Sequence, residues 1–112
     1  MDADDIINAY EANKREIEEL REEKKQIEAL QNRLIEIDEQ WDKELKKLAK
    51  TNNQLQRLGK AWQKTHQPPR RKRCEDSIQQ KKDEIEQTKQ KIRGLAKERT
   101  DILSKVQYQK LP

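Results

Sequence analysis

Few side chains in this chain could do covalent chemistry, and those that could lie close together. His66 is the sole histidine and Cys74 the sole cysteine, and Arg70-Arg71-Lys72-Arg73 stands between them. His66 sits beside Pro68 and Pro69, in a segment that reads as an exposed turn. Cys74 follows the four bases near a helix start and reads as an ordinary thiol at a hairpin tip. One thiol and one imidazole are too few for a zinc site. Gly59 and Gly94 are isolated and cannot form a phosphate-cradling loop. The many carboxylates fall on helix exteriors as solvated faces rather than as acid–base pairs. The expectation is a protein that is not an enzyme, with no catalytic, cofactor-binding or metal-ligating residue and no small-molecule substrate.

The four consecutive bases Arg70, Arg71, Lys72 and Arg73 carry the sharpest binding signal. Placed at a turn behind two prolines, with Lys60 and Lys64 just below, they project from the end of the molecule. Such a run suits phosphate contact, a nuclear-import signal, an acidic protein surface such as the cytoskeleton, or anionic lipid. No aromatic residue is interleaved among these bases, which argues against stacking on single-stranded nucleic acid. The alternative reading is a solvated turn.

What positions this tip is a helical framework. Leu20, Ile27, Leu34, Trp41, Leu48, Leu55 and Trp62 recur every seven residues. A strict repeat of seven keeps one stripe of a helix against a partner, the seam of a coiled coil. In 112 residues only 30% are hydrophobic and 43% are charged. An ordinary globular domain has roughly 45–50% apolar residues. Periodic placement of the few apolar residues separates a long-helix protein from a disordered one. There is no run of 18 apolar residues and no signal-peptide pattern, and a single cysteine fits a reducing compartment. The expected location is intracellular, with the nucleus as an alternative because of Arg70–Arg73.

Two helices are predicted. The first starts near Asp2, with Asp2, Asp4 and Asp5 as capping acids, and runs to Gln63–Lys64. Thr51-Asn52-Asn53-Gln54 reads as a capping box and marks a candidate interruption of this helix. The prolines end it, Pro69 opens the second helix, and that helix runs to Gln107–Gln109. The second helix has its own repeat: Ile78, Ile85, Ile92, Arg99 and Val106, flanked by Leu95 and Ile102. Folding back about residue 70 sets Trp62 against Ile78, Leu55 against Ile85, Leu48 against Ile92 and Leu34 against Val106. Leu45 faces Leu95 in a second row, and Arg99 lies opposite Trp41 in a cation–π rung.

This register leaves residues 3–31 without a partner in their own chain. Yet Ile6, Tyr10, Ile17, Leu20, Ile27 and Leu30 continue the stripe, a set of large side chains that water disfavours. The expected organisation is an acidic helical arm at 1–31, an antiparallel hairpin at 32–109 with a basic turn at 66–73, and a tail at 110–112. The expected fold is all-α: a long antiparallel coiled-coil hairpin with an N-terminal helical extension, oligomeric through the arm. A homodimer is favoured, and a helical protein partner is the other occupant. Charge follows the same division, at −7 for residues 1–40, +9 for 41–73 and +2 for 74–112.

Residues 6–48 carry Tyr10-Glu11, Lys14-Arg15-Glu16-Ile17, Leu34, Ile37, Trp41 and Leu45-x-x-Leu48. This stretch resembles the arm of structural-maintenance-of-chromosomes ATPases just before the chain re-enters the head. In one eukaryotic branch of that family a tryptophan follows isoleucines at similar spacing. The chain departs from the family in having no glycine-rich head strand, no nucleotide-binding loop and no signature motif, so ATPase activity is not implied. The resemblance covers under half the chain and implies at most a chromosome-associated arm. Read from its residues, the function is a non-catalytic assembly or scaffold module; the alternative is a binding module whose basic tip touches nucleic acid or an acidic cytoskeletal surface.

Overall fold

The computed structural model describes residues 2–110, with side chains from 2 to 106. It contains two helices, α1 (Ala3–Lys64) and α2 (Pro68–Lys110), folded into a hairpin 97 Å long and 19 by 15 Å across. Within the tail expected at 110–112, Leu111 and Pro112 lie outside the described residues.

Local chemistry accounts for the helix ends. Asp2 caps α1: its Oδ1 accepts from the Asp5 N–H at 2.9 Å, and the Asp5 carboxylate accepts in return from the Asp2 N–H. Asp4 and Asp5 place negative charge in the first turn, at the positive end of the helix dipole. At the other end Thr65 leaves the helix in an extended conformation, and its hydroxyl donates to the Ala61 carbonyl at 2.7 Å. Just three residues, Thr65 to Gln67, separate the helices. α2 opens at Pro68 rather than Pro69. Both prolines fall in the first turn, where a helix has no internal acceptor for N–H groups and a proline costs little.

α1 runs unbroken through Thr51. Instead of capping a new helix, the Thr51 hydroxyl turns back and donates to the Lys47 carbonyl at 2.8 Å, and the residue is buried. Its place in the seam explains this choice, since a forward cap would have exposed the ends of two helix segments inside the packed face.

The covered side of α1 alternates steps of three and four: Ile27, Leu30, Leu34, Ile37, Trp41, Glu44, Leu48, Thr51, Leu55, Leu58 and Trp62. α2 answers with the same rhythm from Arg71 and Cys74 through Ile78, Lys81, Ile85, Thr88, Ile92 and Leu95 to Ile102 and Val106. The tightest packing is far from the turn. Ile37, Ile102 and Val106 form a buried cluster, and Leu30, Leu34 and Leu95 pack against it.

Three details differ from the sequence-derived register. Leu45 is 41% exposed, so the second row of α1 runs through Ile37, Glu44, Thr51 and Leu58 instead. Each of those lies three residues after a main rung, the step that carries a seam along one side of a helix; Leu45 lies four after Trp41, on the other side. Next, polar pairs across the hairpin join Asp38 to Arg99 and Trp62 to Glu75. A fold-back about residue 70 would have set Asp38 beside Ile102 and Trp62 beside Ile78. The observed pairs, like the Arg33–Glu98 pair, place α2 further toward the arm than that register does. Last, Arg99 donates to Asp38 at 3.1 Å rather than lying on Trp41; the arginine on an indole is Arg71, 4.1 Å from the Trp62 ring centre.

Candidate functional site: an acidic arm and a basic end

Two regions present unusual surfaces, one at each end of the hairpin. At the first, every residue of α1 from Ala3 to Gln26 is exposed. Ile6 (58%), Tyr10 (66%), Ile17 (50%) and Leu20 (63%) are among its exposed large side chains, as is Ile7. Ile27 and Leu30 are different: both are half-buried, and Leu30 packs against the hairpin's own cluster. Of the six residues expected to face outward, Leu30 therefore packs on the hairpin and Ile27 is half-buried. Half of the exposed stripe, Ile6 and Leu20, continues the line of the seam rungs Ile27, Leu34 and Trp41; the other half leaves it. Tyr10 and Ile17 are in line, at sevenfold spacing, with exposed Leu45 rather than with buried Ile37.

Where arm and hairpin meet, an ionic brace crosses the two helices. Arg33 holds Glu98 through two bonds, Nε to Oε1 at 2.7 Å and Nη2 to Oε2 at 2.9 Å, and its remaining nitrogen donates to Glu36 at 3.1 Å. The paired guanidinium holds the Glu98 carboxyl below the usual range, and the two carboxylates raise the pKa of Arg33.

At the second end, Arg70 to Arg73 are not loop residues. They occupy the first turns of α2, which has no acidic residue in its first turn. Arg70, Lys72 and Arg73 are exposed, as are Lys60 and Lys64 on the neighbouring helix. Arg71 behaves differently: it is half-buried against Trp62, whose indole N–H donates to Glu75 at 3.1 Å. Trp62 thus ties the start of α2 to the end of α1, and three of the four expected tip charges face water. Cationic side chains at a helix start oppose the dipole, so this end is electrostatically receptive to anions. His66 is exposed, and Cys74 is a half-buried free thiol.

Ile37, Thr51, Leu58 and Thr88 also pack in the seam, although the sevenfold repeat of large residues does not mark them. Their signal was the second row, three residues after each rung, partly hidden because Glu44 and Thr51 occupy it. Among the described residues no group of three or more His, Cys, Asp or Glu is placed to hold a metal ion. No helix there is long and apolar enough to cross a membrane.

These features define an all-helical two-helix hairpin with an exposed acidic arm at one end and a basic end at the other. No family model matches the chain, and no curated protein or solved structure matches it either.

Proposed function

We propose that the protein is a non-catalytic assembly module: an antiparallel coiled-coil hairpin that presents its acidic arm for helix-to-helix association, most simply with a second copy. The observation that carries this reading is the apolar stripe Ile6, Tyr10, Ile17 and Leu20 on a stretch of α1 that none of the described residues covers. The alternating three–four steps of the buried positions support the coiled-coil description. Sedimentation equilibrium of the chain tests the proposal. An oligomer that becomes monomeric in Ile17→Asp with Leu20→Asp, with hairpin helicity retained, is the expected result. A wild-type monomer at tens of micromolar would sink it.

A second reading is favoured by the exposed Arg70, Lys72 and Arg73 at a helix start without acids. In it the basic end holds a polyanion such as nucleic acid. Binding would then weaken steeply with salt, and replacing those three residues by alanine would reduce the log–log salt slope by about three units. An unchanged slope counts against it.

A further inference from the structure

The arm's apolar stripe and its charge together restrict what can lie on it. Among the described residues, five of the seven exposed large hydrophobic side chains are on the arm; the other two, Ile35 and Leu45, are isolated on the hairpin. Among the described surfaces, the one best able to cover one arm is therefore another arm. Ala3, Ile6, Tyr10, Asn13, Ile17 and Leu20 follow alternating steps of three and four, the rhythm of a two-helix seam.

Orientation follows from charge. Residues 2–13 carry four acids and no base, whereas residues 14–25 carry five of each. Parallel arms would set the four-acid segment beside its own copy. They would also lay two basic hairpin ends side by side, each built on the +9 segment 41–73. Antiparallel arms set each four-acid segment beside the mixed half of the other copy and send the basic ends in opposite directions. Register follows from side-chain chemistry. In one antiparallel alignment Ile6 meets Ile17 of the second copy, Ala3 meets Leu20, and Tyr10 meets Asn13, so that a phenol and an amide can exchange a hydrogen bond. Sliding to the next alignment, seven residues along, sets Ile6 against Lys24 and Asn13 against Ile17, which buries polar groups on apolar ones.

We infer that the chain forms a tail-to-tail dimer, joined by antiparallel arms with Ile6 against Ile17 of the second copy and Tyr10 against Asn13, and with a basic end at each extremity. This rests on the self-association reading above and adds orientation and register to it. The Cys74 thiols of the two copies are then roughly 150 Å apart at 1.5 Å per residue. A rival arrangement, each acidic arm lying on the basic half of the next copy, would be held chiefly by exposed charges and would dissolve as salt rises.

The test uses the full chain. Ile6→Cys and Ile17→Cys are made separately in a Cys74→Ser background, mixed, and oxidised; a spin label on Cys74 of the otherwise unaltered chain reports tip-to-tip distance. The inference expects a dimer that persists in high salt, a disulfide joining Ile6→Cys to Ile17→Cys chains, and no dipolar coupling between Cys74 labels. Homotypic disulfides with short Cys74 distances would overturn the antiparallel arrangement while leaving self-association standing. Assembly that dissolves in high salt without the mixed disulfide would overturn it in favour of arm-on-hairpin contacts. A monomer in all conditions removes both the inference and the reading beneath it.

Discussion

Single polar residues in the seam decide how well the hairpin is held. Thr88 and Thr51, 1% and 4% exposed, satisfy their hydroxyls on the Glu84 and Lys47 carbonyls, so their burial leaves no donor stranded. Glu44 is less well placed. Its Oε2 is buried without a hydrogen-bond partner among the described atoms, in the row that Ile37 fills with hydrocarbon. A carboxylate oxygen kept from water without a partner costs about 1–3 kcal/mol. Glu44→Leu should therefore stabilise the hairpin by about 1 kcal/mol, read as a rise in the urea midpoint at constant slope; a fall would show that Glu44 finds a partner in solution. Glu98 gives a pH dependence of known sign. Arg33 lowers its pKa in the folded state, so its contribution is fully present above the unfolded value, about 4.3, and is lost as pH falls through the folded one. The stability gap between wild type and Glu98→Gln should be open at neutral pH and close in acid. Both side chains are partly exposed, so the gap should be modest and should shrink in salt. A gap that widens in acid would contradict the assignment.

Each helix is an element whose existence was plain in the sequence and whose rotation was not. The sevenfold ladder from Leu20 to Trp62 and the Pro68-Pro69 break announce two helices and a turn without further help. Which side of α1 faces α2 depends on the second row, and that row contains Glu44 and Thr51, residues that composition assigns to the outside. Leu45 looked the better core residue because it is leucine. Ile37 is the one fully covered, because α2 approaches from the side that lies three residues after each rung. The register erred for a related reason: three turn residues bring α2 in sooner than a looser turn would. Paired substitutions should register this rotation. Ile37→Ala should cost about 2–4 kcal/mol, the range for emptying a buried aliphatic site, while Leu45→Ala should stay within about 0.5 kcal/mol. Equal costs in denaturant titrations would mean that α1 is rotated in solution. The arm was legible as a stripe with no partner, but its limit was not, because Ile27 and Leu30 fit the ladder whether they face α2 or a stranger.

Across the whole molecule, firmness and charge run in opposite directions. The buried cluster of Ile37, Ile102 and Val106 and the Arg33–Glu98 brace lie at the end of the hairpin next to the arm. The basic end relies instead on half-buried Trp62, its bond to Glu75 and the Arg71 guanidinium over its ring. Local opening is cheapest where little apolar surface must be exposed. Hydrogen exchange should therefore be slowest in 30–41 and 95–106, and faster on both sides of the turn. Trp62→Ala should speed exchange at the basic end further, since it removes an indole that packs, donates and carries a cation. The same change should leave protection in 30–41 nearly intact, because the cluster is more than 20 residues away along α1. Uniform acceleration along both helices would mean that the hairpin opens as one unit and that the tryptophan supports all of it. A firm junction beside the arm suits a surface that must hold another helix in fixed register. A looser basic end suits charges that adapt to whatever anion they meet, since exposed arginine and lysine side chains gain little from being held rigid.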